Sequence, residues 1–129
     1  MPPIPPITLS ETQEWSIALA CVMMLADVLV GFITAAINNK LSSTKMRKGL
    51  LHKVLLLILI VICLAIELAI GHTVKLPYDV PTCEVVCAYI VIMELTSVLE
   101  NIGRGYPQFS DSSLFKLFNL NDKDESKDE

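Results

Sequence analysis

Three long apolar runs, separated by polar segments, set the pattern of this chain. They cover residues 15–37, about 50–70 and about 83–102. A helix needs about 20 predominantly apolar residues to cross the hydrocarbon core of a bilayer, and each run has about this length. The pattern predicts an all-α integral membrane protein with three transmembrane helices, joined into one membrane domain over residues 15–107.

The first run contains a single charged residue. Asp27 lies near its middle, where a carboxylate costs about 2.5–3.5 kcal/mol. It is either a protonated or hydrogen-bonded packing residue between helices, or a polar contact that sets assembly or gating. Gly31 and Ala35 lie four residues apart and permit close approach of two helix backbones. We interpret Asp27, Gly31 and Ala35 as helix-packing and assembly residues.

The third run is the least apolar, since residues 85–93 are its longest stretch free of charge. Glu94, Ser97 and Asn101 follow one another at intervals of three or four residues, so they share one face of a helix. These three residues form a polar seam. Exposing the polar seam to lipid would cost free energy, so we expect it to face other helices or water. We interpret the run as spanning; a helix lying in the interface plane is the alternative.

The connector between the first two runs is strongly basic. Residues 38–53 hold five of the chain's ten lysines and arginines and no acidic residue, whereas the second connector, residues 71–82, holds only Lys75. Cytoplasmic segments carry such an excess of cations. We therefore place the N-terminus outside and the C-terminus inside, and expect Lys53 to reach the inner interface. The basic cytoplasmic connector comprises Lys40, Ser42, Ser43, Lys45, Arg47, Lys48 and Lys53.

Both ends of the chain differ from the runs. Residues 1–14 form a proline-rich, non-helical lead, and Ser10 with Gln13, or Thr12 instead, is expected to cap the first helix. Residues 108–129 are interpreted as a cytoplasmic tail. Its acidic end, residues 121–129, is predicted to be disordered. Before it, Ser110 or Asp111 could cap a short amphipathic helix that carries Leu114, Phe115, Leu117, Phe118 and Leu120.

The sequence offers no pattern typical of catalysis. It has no glycine-rich phosphate loop, no HExxH and no GxSxG. Asp27, Glu67 and Glu94 could converge across helices, where a polar packing role is favoured over acid–base chemistry. The four cysteines are interpreted as small apolar side chains, because the sequence has neither two closely spaced pairs of cysteines nor a histidine near one pair to complete a zinc site. We expect no enzyme, cofactor or metal, and the net charge of −4 disfavours nucleic acid.

Several blocks, in this order and spacing over about residues 27–107, resemble the toxin-secretion/phage-lysis holins of bacteriophages of Gram-positive hosts. They are Asp27 with Gly31, the junction KLSS (40–43) with KMRKGLL (45–51) and Lys53, and ELTSVLENIG (94–103). The junction and the Ser-x-x-Glu-Asn ending are the specific parts. Two features depart from the family: the proline-rich lead, and Glu67, which stands where relatives more often have an Asp–basic pair.

The resemblance implies a function that the residues alone do not give. Holins accumulate in the host bacterial cytoplasmic membrane, form homo-oligomers in the lipid bilayer and at a set time open lesions. A cytoplasmic endolysin then reaches the peptidoglycan, and some relatives are associated with secreted toxins; neither partnership requires direct contact. Two other classes stay open: a small non-catalytic membrane scaffold or accessory subunit, and a soluble or interfacial helical protein.

Overall fold

Helices are the regular elements of the structure, a computed structural model that describes residues 3 and 6–117. Within that part of the chain the long helices are α1 (Glu11–Ile37), α2 (Ser43–Thr73) and α3 (Thr82–Gly105). A 3-10 helix (Pro107–Asp111) and the five-residue helix α4 (Ser113–Leu117) follow. In the described residues, α1, α2 and α3 are the helices long and apolar enough to cross a membrane, as the run lengths predicted.

The chain runs up, down and up again, so α1 and α3 point the same way and α2 runs in the opposite direction. The pairing of α1 with α3 is the most extensive, and α1 and α2 touch least. One end of this bundle, the basic end, collects the C-termini of α1 and α3 and the N-terminus of α2. The opposite end is called the acidic end.

The two ends carry opposite charge. Cations gather at the basic end: Lys40, Lys45, Arg47, Lys48 and Arg104. Carboxylates gather at or near the acidic end: Glu11, Glu14, Glu67, Asp79 and Glu84.

Helix α1 begins with the capping box that its sequence predicted. The backbone N–H of Gln13 donates to Ser10 Oγ at 3.2 Å, and Gln13 Oε1 accepts from the Ser10 N–H at 2.9 Å. These bonds satisfy two N–H groups that a helix start otherwise leaves without partners. The helix starts four residues before the apolar run because Glu11 and Glu14 also suit the positive end of the helix dipole.

Helix α2 begins at Ser43, well before the apolar run expected at about residue 50. Ser42 caps it, since its Oγ accepts from the Lys45 N–H at 3.4 Å. Lysine, arginine and methionine, which fill the following turn, are good helix formers. Most of the basic connector is therefore helical, and residues 38–42 alone form the link. There Asn39 takes a φ of 52°, a left-handed conformation that asparagine tolerates better than most residues.

Helix α3 takes its cap from a neighbouring helix. Pro81 precedes it and offers no side-chain hydrogen bond. Glu67 of α2 instead accepts from the backbone N–H of Cys83 at 3.1 Å, so a carboxylate lies at the positive end of the helix dipole. This contact gives Glu67 a capping role at the start of α3.

The C-terminal expectations are covered only in part. Among the described residues, α4 is a single short helix, and its length does not establish an amphipathic element. Phe118, Leu120 and the acidic segment 121–129 lie outside the described residues, as do residues 1, 2, 4 and 5 of the lead.

The apolar core occupies the half of the bundle nearer the acidic end. It is formed by buried residues from all the long helices: Ala20, Met24, Leu56, Ile60, Cys83, Cys87 and Ile90. Cys63 is also buried, whereas Cys21 is exposed. Outside the core, many large apolar side chains face outwards, and Leu25, Leu55 and Ile92 are each about 60% exposed. A continuous apolar exterior of this kind suits lipid and would be unusual in water.

Two glycines test how closely α1 and α3 approach each other. A Cβ at Gly105 would lie 3.1 Å from Thr34 Oγ1, whereas a Cβ at Gly49 would meet nothing within 4 Å. We expect Gly49→Ala to raise the free energy of unfolding by about 0.5–1 kcal/mol through reduced backbone entropy. Gly105→Ala should raise the free energy of unfolding by less, or lower it, because Thr34 must shift to make room for the new Cβ. Titration of SDS into detergent micelles, followed by circular dichroism, measures both; equal gains would contradict the tight contact.

Candidate functional site

An ion triad of Asp27, Lys53 and Glu94 lies inside the bundle and joins all the long helices. Lys53 Nζ donates to Asp27 Oδ2 at 2.8 Å and to Glu94 Oε2 at 2.5 Å. Glu94 is only 3% exposed and Lys53 9%. One cation from α2 thus bridges a carboxylate of α1 and a carboxylate of α3.

The antiparallel course of the chain brings these residues to one depth. Asp27 precedes the end of α1 by about ten residues, Lys53 follows the start of α2 by about ten, and Glu94 precedes the end of α3 by about eleven. At a rise of about 1.5 Å per residue, each lies about 15 Å from the basic end. This is about half the thickness of a hydrocarbon core.

A polar ladder continues from the triad to the basic end along the α1–α3 contact. Asn101 Nδ2 donates to Asp27 Oδ1 at 3.0 Å, and Thr34 Oγ1 donates to the Asn101 carbonyl oxygen at 2.9 Å. At the basic end, Asn38 Nδ2 donates to the Arg104 carbonyl oxygen at 3.3 Å. Asp27, Thr34 and Asn38 can share this contact because helical spacing puts them on one face of α1.

Burying the charged groups of the triad costs free energy, and removing one of them once they are buried costs free energy as well. Moving charges into a low-dielectric interior carries a desolvation penalty that attraction offsets only when the geometry is good. Both Asp27 oxygens have partners here, one from Lys53 and one from Asn101. Removing one partner of such a group leaves an uncompensated buried charge, typically at a cost of about 3–5 kcal/mol. The network therefore favours one relative arrangement of the helices.

Two members of the predicted polar seam take part in these contacts. Glu94 is buried in the triad, and Asn101 binds Asp27, so both face other helices of the same chain. Ser97 is half-buried, and no hydrogen bond among the described residues involves its side chain. The polar seam is thus a helix-packing surface at two of its three positions.

The small residues of α1 lie beside the polar ladder. A Cβ added to Gly31 would lie 3.5 Å from Asn101 Nδ2, an ordinary contact distance, and both Gly31 and Ala35 are half-buried. Gly31 therefore approaches α3 of its own chain. The use of Gly31 and Ala35 in assembly between copies stays a prediction.

Lys53 lies elsewhere than its place in the connector suggested. Its side chain turns into the bundle, whereas Lys40, Lys45, Arg47 and Lys48 are exposed. The signal that could have located it is charge matching: two carboxylates inside spans need a partner. Lys53 is the cation at the same depth once α2 is antiparallel to α1 and α3. Ser42 caps α2, and Ser43 is exposed beside it.

The three carboxylates considered together in the sequence separate in the structure. Asp27 and Glu94 converge on Lys53, whereas Glu67 lies towards the acidic end against Cys83. No group of three or more metal-ligating side chains occurs in the described part of the chain. The geometry of the triad suits charge-dependent packing, since its lysine already serves both acids.

These features define an all-helical, multi-pass membrane protein with a buried charge network. The chain matches the profile of the bacteriophage holin family over residues 8–107, a range that contains α1, α2, α3 and every residue of the triad. The chain therefore belongs to the bacteriophage holin family. Neither a curated protein nor a solved structure gives a significant match.

The triad predicts a large difference between two lysines of α2. Lys53→Met leaves Asp27 and Glu94 buried without their cation and should lower the free energy of unfolding by roughly 3–5 kcal/mol. Lys48→Met, at an exposed position, should change it by no more than about 0.5 kcal/mol. SDS titration of the protein in detergent micelles measures both.

Neutralising the acids supplies the control for that prediction. Lys53→Met combined with Asp27→Asn and Glu94→Gln should recover most of the lost stability, because no uncompensated charge remains. Similar losses for Lys53→Met and Lys48→Met, or no recovery in the triple variant, would show that the triad does not hold the bundle together.

Proposed function

We propose that the protein acts as a holin: it oligomerises in the bacterial cytoplasmic membrane and forms lesions that release an endolysin and trigger lysis of the host cell. Membership of the bacteriophage holin family supports this class of function. The ion triad carries the argument for the mechanism, because simple anchoring in a membrane needs no charge network inside the spans.

The triad provides two states in which its charges are satisfied. In the closed bundle, Lys53 pairs with both Asp27 and Glu94 while the helices present apolar surfaces to lipid. In an open lesion built from several copies, the same polar face would line water and its charges would be hydrated. Closed copies can then accumulate without harm until assembly favours the hydrated state. Glu94, the most buried carboxylate of the triad, biases this equilibrium.

Assembly and partners follow from this mechanism. The protein would act as a homo-oligomer in the lipid bilayer, and Gly31 with Ala35 would let helices of neighbouring copies approach closely. An endolysin, or in related systems a secreted toxin, would pass through the lesion without a required direct contact. The proposed role is non-catalytic and uses neither a cofactor nor a nucleic acid.

The charge difference between the two ends supports one orientation. The cations at the basic end favour the cytoplasmic side. The connector at the acidic end, residues 74–81, has Lys75 as its lysine or arginine and therefore favours the outer side. The N-terminus would then lie outside and the C-terminus inside.

Cysteine labelling tests this orientation. In a variant whose native cysteines are replaced, Ser43→Cys should resist a membrane-impermeant maleimide in intact cells, and Asp79→Cys should react. Both positions are exposed, one at the start of α2 and one in the connector before α3, so accessibility within the fold is matched. Lysed cells should label both cysteines. Labelling of Ser43→Cys alone in intact cells would reverse the orientation.

Substitutions at Glu94 test the mechanism. Glu94→Leu removes the group that is hydrated in the open state and leaves Lys53 paired with Asp27, so the protein should insert and fail to lyse. Glu94→Gln keeps shape and some hydrogen bonding but cannot ionise, and it should shift the onset of lysis more than the amount inserted. Ser97→Ala should be milder, because the Ser97 side chain lies outside the triad and makes no hydrogen bond among the described residues. Culture turbidity and the level in the membrane fraction are measured together.

Matched controls separate a holin from a membrane scaffold. Each variant is induced with and without a cytoplasmic lysin, and Glu100→Gln, on the same helix but outside the triad, should lyse on the parental schedule. If Glu94→Leu also lyses cells on the parental schedule, with the parental amount of protein in the membrane fraction, the triad has only a packing role. If the parental protein neither depolarises the cell nor releases the lysin, the holin function is wrong and the protein is a membrane scaffold or accessory subunit.

A further inference from the structure

A crevice of about 830 Å³ opens at the basic end, between the last turns of α1 and the first turns of α2, and Arg104 of α3 borders it. Its mouth is lined by Lys40, Lys45, Arg47 and Arg104. Among the described residues, no carboxylate pairs with Lys40, Lys45 or Arg47, and Arg104 meets Glu100 only at 4.0 Å. The mouth therefore presents positive charge without a strong partner.

Below its mouth, the crevice is mainly apolar, although Asp27 and Lys53 of the triad and Asn101 also line its inner part. Phe32 of α1 and Met46 and Leu50 of α2 line it, and each is about half exposed. Gly49 also lines it and leaves open space where a side chain would otherwise project. The volume lies in the range of about 300–1,000 Å³ typical of small-molecule sites. The cavity thus combines a cationic rim with walls that a hydrocarbon chain would fit.

The depth of the cations matches the headgroups of a bilayer leaflet. Lys45 lies eight residues before Lys53 in α2, which is about 12 Å along the helix. With the triad near the membrane centre, as the proposed function requires, Lys45 lies close to the boundary of the hydrocarbon core, about 15 Å from that centre. A ligand in this crevice would have its anionic group at the membrane surface and its apolar part within the membrane.

We infer that this crevice binds an anionic phospholipid, with its phosphate at Lys40, Lys45, Arg47 and Arg104 and an acyl chain against the wall of Phe32, Met46 and Leu50. Basic pockets between membrane helices bind acidic lipid headgroups in this way. Free phosphate would satisfy the cations and leave the apolar wall without a partner inside the crevice. The chain's own acidic segment, residues 121–129, has the right charge but lacks the apolar character of the wall.

Lipid binding can be measured directly on the full-length protein. Protein purified in zwitterionic detergent is titrated with phosphatidylglycerol, and native mass spectrometry counts the lipids retained. We expect one tightly held phosphatidylglycerol per chain and little retention of phosphatidylcholine. Lys45→Gln with Arg47→Gln should weaken binding about 30-fold, given about 1 kcal/mol for each cation. Lys48→Gln, an exposed neighbour outside the crevice, should weaken it much less.

Further arms distinguish the other possible occupants. Inorganic phosphate at the same concentration should not displace phosphatidylglycerol, whereas full displacement would make the crevice a simple anion site and overturn the inference. The full chain with the five carboxylates of residues 121–129 replaced by amides should bind lipid as the unaltered chain does. If only that variant binds lipid, the acidic segment is the occupant and the inference is overturned. Equal weakening by Lys48→Gln and by the double variant would also overturn the inference.

The lipid site and the proposed function fail in different experiments. Retention of phosphatidylglycerol is measured on purified protein and needs no lysis, so a protein that binds lipid and never lyses cells refutes only the holin mechanism. A protein that lyses cells and shows no preference for the anionic lipid refutes only the site.

Discussion

The contact of Lys53 with both Asp27 and Glu94 is the interaction on which the arrangement of α1, α2 and α3 depends. Apolar side chains do not by themselves select a partner in a membrane, because lipid tails are as apolar as leucine. A single buried cation that must contact two carboxylates does select one arrangement of the helices, since any rotation or shift of one helix leaves a charge without its partner. Asn101 strengthens this selection by binding the second oxygen of Asp27. The polar contacts therefore fix which faces meet, and the apolar core packs around that choice.

The same contact divides the bundle into two unlike halves. Towards the acidic end, the helices meet through Met24, Ile60, Ile90 and their apolar neighbours. Towards the basic end, they meet through the polar ladder, and α1 and α2 leave a crevice between them. In the proposed mechanism, opening therefore begins at the basic end, because water entering there finds polar groups that it can hydrate. The apolar half offers no such compensation and would separate last.

The sequence predicted most of the helical framework and part of the site. Run length located α1, α2 and α3, residue spacing placed Glu94 and Asn101 on one face, and Ser10 with Gln13 marked the start of α1. The start of α2 was missed because a basic segment with no proline suits a solvated link and a helical end equally well. The position of Lys53 was missed for a different reason: its partners lie on other helices, and spacing along one helix carries no information about depth across three.

The crevice and the triad are linked through one face of α2. Lys45, Gly49 and Lys53 follow one another at intervals of four residues, so the residue that lines the mouth and the residue that closes the triad lie on the same side of the helix. Gly49, between them, supplies the open space. An occupant that fits this space only while α1 and α2 keep their closed spacing stabilises the closed bundle by mass action. The same occupant therefore opposes hydration of the triad, so in the proposed mechanism the lipid composition of the membrane would shift the balance between closed copies and lesions.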